Sequence, residues 1–336
     1  MSVNHLDQKT KSSMTARIIT AVLIAAVALP CLLLGGWFYM GLIFVALFIA
    51  IHEFINAVNH EKYPLFAHIF IYVMTISFVY WIFMRNNIEN NLANGLGAFD
   101  LSAWSLTSGF DDIKISTMGV AVTLFVLFLF SISCKNFQIN DVTYIFTMIV
   151  FISIGFQSFL FLRFFPMTSF ANAGLSIPNA VQSSFLFVYV IIGTIANDIG
   201  AYFIGVFFGK HKLNERISPK KTWEGFWGGI VFSAILSLGF AALVTSLGHP
   251  MLPFLSFENW YWIVLLSLLI PFIADLGDFI FSALKRHFGI KDYGTFLRGH
   301  GGILDRLDSL ITVAFAVAVI VILISNFTIS GNPILI

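Results

Sequence analysis

Charge is scarce in this chain. Of its 336 residues only 10% are Asp, Glu, Lys or Arg, against 58% hydrophobic, and the mean hydropathy is +0.91. No soluble domain needs so little charge or so much apolar sequence, so a water-soluble globular class is excluded. Cysteine is nearly missing as well. Cys31 and Cys134 are the only two, both in or beside apolar runs, which argues against a disulfide framework or a thiolate metal site and leaves them as small buried hydrophobes. The polar, basic residues 1–17 lead into an apolar run with no convincing cleavage site after it, so that run is expected to be a retained anchor. No internal repeat or linker marks a second soluble domain, and a net charge of +1 says less than the placement of the charges.

What the chain has instead is nine apolar blocks, near 18–34, 37–58, 65–84, 117–133, 143–164, 184–208, 225–247, 260–284 and 308–326. They suit a bilayer core of about 30 Å and predict an all-α polytopic integral membrane protein of about nine transmembrane helices. The break at Gly35–Gly36 is so tight that the first two spans must form a hairpin. With the N-terminus in the cytoplasm, that side collects Lys9, Lys11, Arg17, Lys62, Lys135, Lys210, Lys212, Arg216, Lys220, Lys221, Lys285, Arg286, Lys291, Arg298 and Arg306. The other side has Arg85, Lys114 and Arg163. This bias orients the chain N-terminus inside and C-terminus outside, in the inner (plasma) membrane. The organisation expected is a cytoplasmic segment 1–17, a membrane region 18–183 of about five spans, and a catalytic membrane region 184–336 of about four. The outer stretches 85–116 and 165–183 show no chemical constellation, and the phenylalanines read as membrane packing.

Polar residues concentrate in two inner loops, 209–224 (GKHKLNERISPKKTWE) and 285–306, and in the spans next to them. Asp198 lies about eleven residues, roughly 16 Å, inside its span. A carboxylate at that depth should face a cavity, a cation or a hydrogen-bonding Asn or Tyr. Asp275 and Asp278 share a helix face, continued by Ser282 and Lys285, and Asp305 and Asp308 repeat the three-residue spacing where the last span begins. Four carboxylates converging on one membrane face repel unless a cation lies among them, and hard oxygen ligands favour Mg²⁺. The competing reading, in which Asp305 and Asp308 cap a helix and pair with Arg306 or Arg298, is weaker once Asp278, the lysines and the Gly-His-Gly-Gly run lie in the same neighbourhood. Glycines there let backbone N–H groups approach phosphate. His300 suits a phosphate contact or a turn better than a general base. His52 and Glu53 read as a structural pair near a span end.

Residues 282–308 closely resemble the signature of phosphatidate cytidylyltransferases, the CDP-diacylglycerol synthases: Ser282, Lys285–Arg286, Lys291–Asp292, Gly294, Leu297, His300–Gly301–Gly302, Asp305–Arg306 and Asp308. Gly277–Asp278 is similar to the family's Gly-Asp, and Asp198, Gly200, Ala201 and Tyr202 followed by Ile217–Gly225 (ISPKKTWEG) to its second block. The likeness covers roughly residues 190–310. Phe281, Arg298 and Asp275 depart from the pattern, at positions usually acidic, proline and neutral polar. The resemblance implies transfer of CMP from CTP to phosphatidic acid. It implies catalytic roles for Asp278, Lys285, Arg286, Lys291, His300, Asp305 and Asp308, with Asp278, Asp305 and Asp308 holding Mg²⁺ and room for a second cation such as K⁺. Substrate contacts would come from Asp198, Tyr202, Ser218, Lys220, Lys221, Ser282, Gly301, Gly302 and Arg306. Partners expected are CTP, phosphatidic acid and membrane lipids, with no nucleic acid; a homodimer is compatible with the sequence, although no motif specifies one. The alternatives are a CTP-dependent kinase or cytidylyltransferase of another lipid, and an ion-coupled transporter, which the missing repeat and the basic loops disfavour.

Overall fold

In a bilayer every backbone polar group must be satisfied within its own segment, so uninterrupted Leu, Ile, Val and Phe runs fold as helices. The computed structural model describes residues 8–58, 63–106, 109–172, 184–252, 255–295 and 301–329, with the backbone alone for 8–18, 21, 167–172 and 326–329. Its helices are α1 (Gln8–Leu34), α2 (Gly36–Asn56), α3 (Leu65–Val79), α4 (Trp81–Ala93), α5 (Thr117–Ser133), α6 (Ile139–Asn172), α7 (Phe185–Phe208), α8 (Trp223–Ser246), α9 (Trp260–His287) and α10 (Leu304–Ile329). Every apolar block expected from the sequence falls on a helix. Six stretches among the described residues are long and apolar enough to cross a membrane: Gly36–Asn56, Ile139–Pro166, Phe185–Phe208, Trp223–Ser246, Phe257–His287 and Leu304–Ser325. The α3–α4 pair, bent by 58°, makes a seventh if it is one broken span.

Three features depart from the expectation. The 209–224 loop is not irregular: β1 (Lys212–Asn214) pairs antiparallel with β2 (Ser218–Thr222), Lys212 opposite Thr222 and Asn214 opposite Ser218. Asn214 Oδ1 accepts the Ile217 N–H at 3.2 Å and closes the turn, and Pro219 is tolerated because a two-stranded ribbon has only edges. The stretch beyond the third block is also ordered. Buried Asn87 exchanges hydrogen bonds with the Ser105 backbone (2.6 and 3.2 Å), and buried Asn91 donates to the carbonyls of Gly97, Ala98 and Asp100. Finally Arg163, counted above among the cations of the outer side, is a core residue 1% exposed whose Nε donates to the Leu32 carbonyl at 2.9 Å. It seals the C-terminal end of α1, where unpaired carbonyls favour a cation. Gly35 turns the chain into α2 with φ 64°, and a side chain on it would collide with the Arg163 guanidinium.

One apolar core runs through both halves of the chain. Long α6 lies at its centre, packed on α2, α3, α5, α7 and α10. Tyr39 of α2 meets Phe164 of α6 and Phe187 of α7 edge-on. The closest pair is α7 with α8, and small residues allow it: a Cβ on Gly229 would lie 2.7 Å from Asn197 Oδ1 and 2.9 Å from the Asn197 carbonyl oxygen. Gly229→Ala is therefore expected to lower stability by about 1–3 kcal/mol through overpacking. Gly239→Ala, in the same helix with open space around it, should be neutral or stabilising by up to about 1 kcal/mol. Thermal unfolding in detergent distinguishes the two; equal effects would contradict the close α7–α8 crossing.

Candidate active site

The two neighbouring lysines of β2 differ in burial: Lys220 is exposed, while Lys221, next to buried Thr222, is half-buried. The C-terminal end of β2 is held twice: Thr222 Oγ1 accepts the Gly225 N–H at 3.1 Å and caps α8, and Glu224 takes the His211 ring nitrogen at 2.7 Å, tying in the start of β1. Lys221 Nζ thereby bridges the i, i+3 carboxylates of α9, at 2.6 Å from Asp275 and 2.8 Å from Asp278. Asn197 of α7 donates to the other Asp275 oxygen at 3.1 Å. Burial disfavours the Lys221 ammonium, but Asp278 and Asp275 outweigh it and raise its pKa above the ordinary 10.5. Because the folded value is the higher one, this pairing stabilises the fold throughout the physiological range and is lost only on strongly alkaline titration.

A second lysine–carboxylate unit lies where α9 ends and α10 begins. Buried Lys285 donates to Asp305 Oδ1 at 2.9 Å and approaches Asp308 Oδ2 at 3.7 Å. The other Asp305 oxygen accepts the backbone N–H of Tyr293 (2.8 Å) and of Gly302 (3.0 Å). Asp305 thus pairs with Lys285, and its carboxylate ties Tyr293 and Gly302 to the helix start. Gly301 has φ 84°, a left-handed conformation that favours glycine. The next two amides go to α2: Glu53 Oε1 accepts Ile303 N–H at 2.9 Å and Oε2 accepts Leu304 N–H at 2.7 Å. The amides of Gly302, Ile303 and Leu304 are therefore taken by carboxylates and not left open to a phosphate.

The remaining predicted residues divide by position. Asp198, Tyr202 and Lys220 line a cavity of about 420 Å³ with Lys212, Lys221 and Asp275. Asp278 shares Lys221 with Asp275, Asp308 lies 3.7 Å from Lys285, and Ser282 Oγ lies 3.4 Å from Asp278. Ser218 is half-buried in β2. Arg286 is exposed and donates to the Ile290 carbonyl at 3.1 Å, closing the end of α9. Lys291 and Arg306 are exposed. His300 and Arg298 lie outside the described residues. Phe281, the departure from an acidic residue, is wholly buried between Phe151 and Tyr293, a core substitution with no bearing on the cavity.

Two residues stand out beyond the sequence reading. Asn197 orients Asp275, and Glu53 is not the partner of His52, which is exposed and bonds Asn56 at 2.9 Å. The signal for Glu53 was its charge inside an apolar span.

Among the described residues no three acidic, His or Cys groups form a ready metal cage. Each Asp pair already faces an ammonium. The donor set still suits Mg²⁺, which commonly uses one or two carboxylates plus substrate phosphates. Among the described residues Asp278 Oδ1 has only the long Ser282 contact, and Asp308 Oδ2 only the long Lys285 one, so both retain acceptor capacity. Asp305, facing three donors, has less.

The described helices thus bring a lysine–carboxylate network and a cavity lined by Lys212, Lys220 and Lys221 together. Residues 15–324 match the model of the cytidylyltransferase family. The chain belongs to that family. It is 30% identical over 302 residues to the phosphatidate cytidylyltransferase of Staphylococcus saprophyticus, covering 89% of this chain and 96% of that protein. The Staphylococcus haemolyticus enzyme of the same name is 31% identical over the same extent. That of Staphylococcus aureus is 36% identical over 195 residues, 58% of this chain and 64% of that one.

Proposed function

We propose that this chain is a phosphatidate cytidylyltransferase, transferring CMP from CTP to phosphatidic acid to give CDP-diacylglycerol and pyrophosphate. The observation that carries the reading is the double network Lys221–Asp275–Asp278 and Lys285–Asp305–Asp308, in a chain whose relatives bear that name along nearly their whole length. The phosphatidate oxygen attacks the α-phosphorus of CTP, the bond to the bridging oxygen breaks, and pyrophosphate leaves with the electron pair. Because a phosphate monoester has a second pKa near 6, it is already anionic at neutral pH. No strong base is required, and His300 need not act as one.

The chain's own residues position and neutralise. Lys221 and Lys285 hold positive charge at the reacting phosphates, and Lys220, Lys212 and Arg286 extend it toward solvent. Asp278 and Asp308, with Asp305 behind them, are the candidates to hold Mg²⁺, which when bound would supply charge neutralisation between nucleotide and lipid phosphates; a second cation such as K⁺ fits near Asp198. Nine spans with the N-terminus inside would put both basic loops at the cytoplasmic face, where CTP and an inner-leaflet lipid meet. A homodimer in the membrane accords with this arrangement.

The test is turnover of labelled CTP by detergent-purified protein, with phosphatidic acid and Mg²⁺ each present or omitted. Lipid-linked CMP is expected only when both are there. Absence of transfer to phosphatidic acid overturns the activity, and transfer in chelator overturns the metal assignment.

A further inference from the structure

Glu53 belongs to none of the basic loops and is separated by some 250 residues from the segment it holds. Its side chain is buried, 3% exposed, in a span where a carboxylate is costly and packing alone would be met by leucine. Both oxygens are engaged with consecutive amides at the start of α10, Ile303 at 2.9 Å and Leu304 at 2.7 Å. The loop is shaped around it: a Cβ on Gly294 would lie 2.6 Å from Glu53 Oε1, and one on Gly302 would collide with the same carboxylate. The preceding amide, Gly302, goes to Asp305, whose other oxygen takes Lys285. Three successive N–H groups at one helix start are therefore shared between two carboxylates from opposite ends of the chain. A negative group is favoured there by the unpaired amides and the helix dipole.

We infer that Glu53 is a positioning residue for the transfer reaction, the clasp by which α2 sets the first turn of α10 and with it the Asp305 and Asp308 carboxylates. The inference rests on the activity proposed above. It gives the N-terminal membrane half a direct part in the site. Glutamine has the same shape but turns an N–H donor toward one of the two amides, so it keeps the volume and loses the clasp.

In Glu53→Gln, turnover with CTP, phosphatidic acid and Mg²⁺ is expected to fall about 10- to 100-fold, the scale of a lost charge-assisted hydrogen bond. KM for CTP should move less than about threefold, since the nucleotide contacts remain. Amide exchange in the peptide covering 301–306 should quicken at least about tenfold while the rest of the chain keeps its protection. Wild-type turnover in Glu53→Gln overturns the inference, and so does unchanged protection at 301–306. Should that variant fail to fold, Glu53→Asp carries the test: intermediate turnover with intermediate protection supports the clasp, and wild-type values in both overturn it. If the unaltered protein transfers no CMP, the activity reading fails, and the exchange measurement still decides the clasp.

Discussion

Replacing Lys285 with methionine is expected to abolish most CMP transfer and to destabilise the protein in the same step. The Lys285 side chain is 10% exposed, facing Asp305 at 2% and Asp308 at 11%. Methionine fills nearly the same volume, so packing is preserved and only the cation is removed. Two carboxylates then remain near one another at the base of α10 without their nearest positive charge, and breaking a buried pair from one side typically costs about 3–5 kcal/mol. Activity should drop about 10³-fold, because a preorganised cation aimed at the phosphates is lost together with the geometry of Asp308. Arginine should not substitute well, since its planar fork cannot occupy a site built for a single ammonium between two acids. Adding Asp305→Asn to Lys285→Met should restore much of the stability and none of the turnover. Thermal unfolding in detergent and labelled-CTP turnover, measured on the single and double variants, separate the two effects. A Lys285→Met protein as stable and active as the original would mean that the buried pair matters to neither.

Much of this could be read from the sequence, for reasons of distance along the chain. The apolar blocks are visible because a span is a local property, and Asp275–Asp278 and Asp305–Asp308 because three residues share a helix face. What stayed hidden depends on partners that sequence spacing cannot reveal. Glu53 spends its two oxygens on backbone amides, and a backbone donor leaves no residue-type signature. Asp305 reads in the sequence as a metal ligand before a cap, because two of the three donors that occupy it are amides. Arg163 lies at the end of an apolar run and counts in the sequence only as an outer-side charge, whereas its hydrogen bond reaches back 131 residues to Leu32. The β1–β2 ribbon was masked by its charge: Lys220 and Lys221 read as one basic cluster, whereas the fold leaves Lys220 exposed and sets Lys221 against Asp275 and Asp278.

Asp275 and Asp278, alike in spacing, should respond unequally to the same change, the first losing more stability and the second more turnover. Asp275 is 3% exposed and fixed by Lys221 and Asn197, whereas the Asp278 side chain is 28% exposed and shares Lys221 with it. Asp275→Asn removes a buried charge that two donors face, and about 1–3 kcal/mol of stability should go with it. Its effect on turnover is indirect, through a less fixed Lys221, and should be about 10- to 100-fold. Asp278→Asn removes a partly exposed member of the pair, worth about 0–1 kcal/mol to the fold, so its unfolding temperature should barely change. Turnover should nevertheless fall at least about 10³-fold, since Asp278 is the α9 carboxylate proposed to hold Mg²⁺, one of its oxygens having only a long Ser282 contact among the described residues. The two variants also differ in Mg²⁺ titration: residual activity in Asp278→Asn should need far more Mg²⁺ for half-saturation, and that in Asp275→Asn about the same amount as the original. A reversed order, with Asp275→Asn inactive but stable and Asp278→Asn unstable but active, would exchange their roles and move the reacting phosphates from the open side of α9 to its buried side.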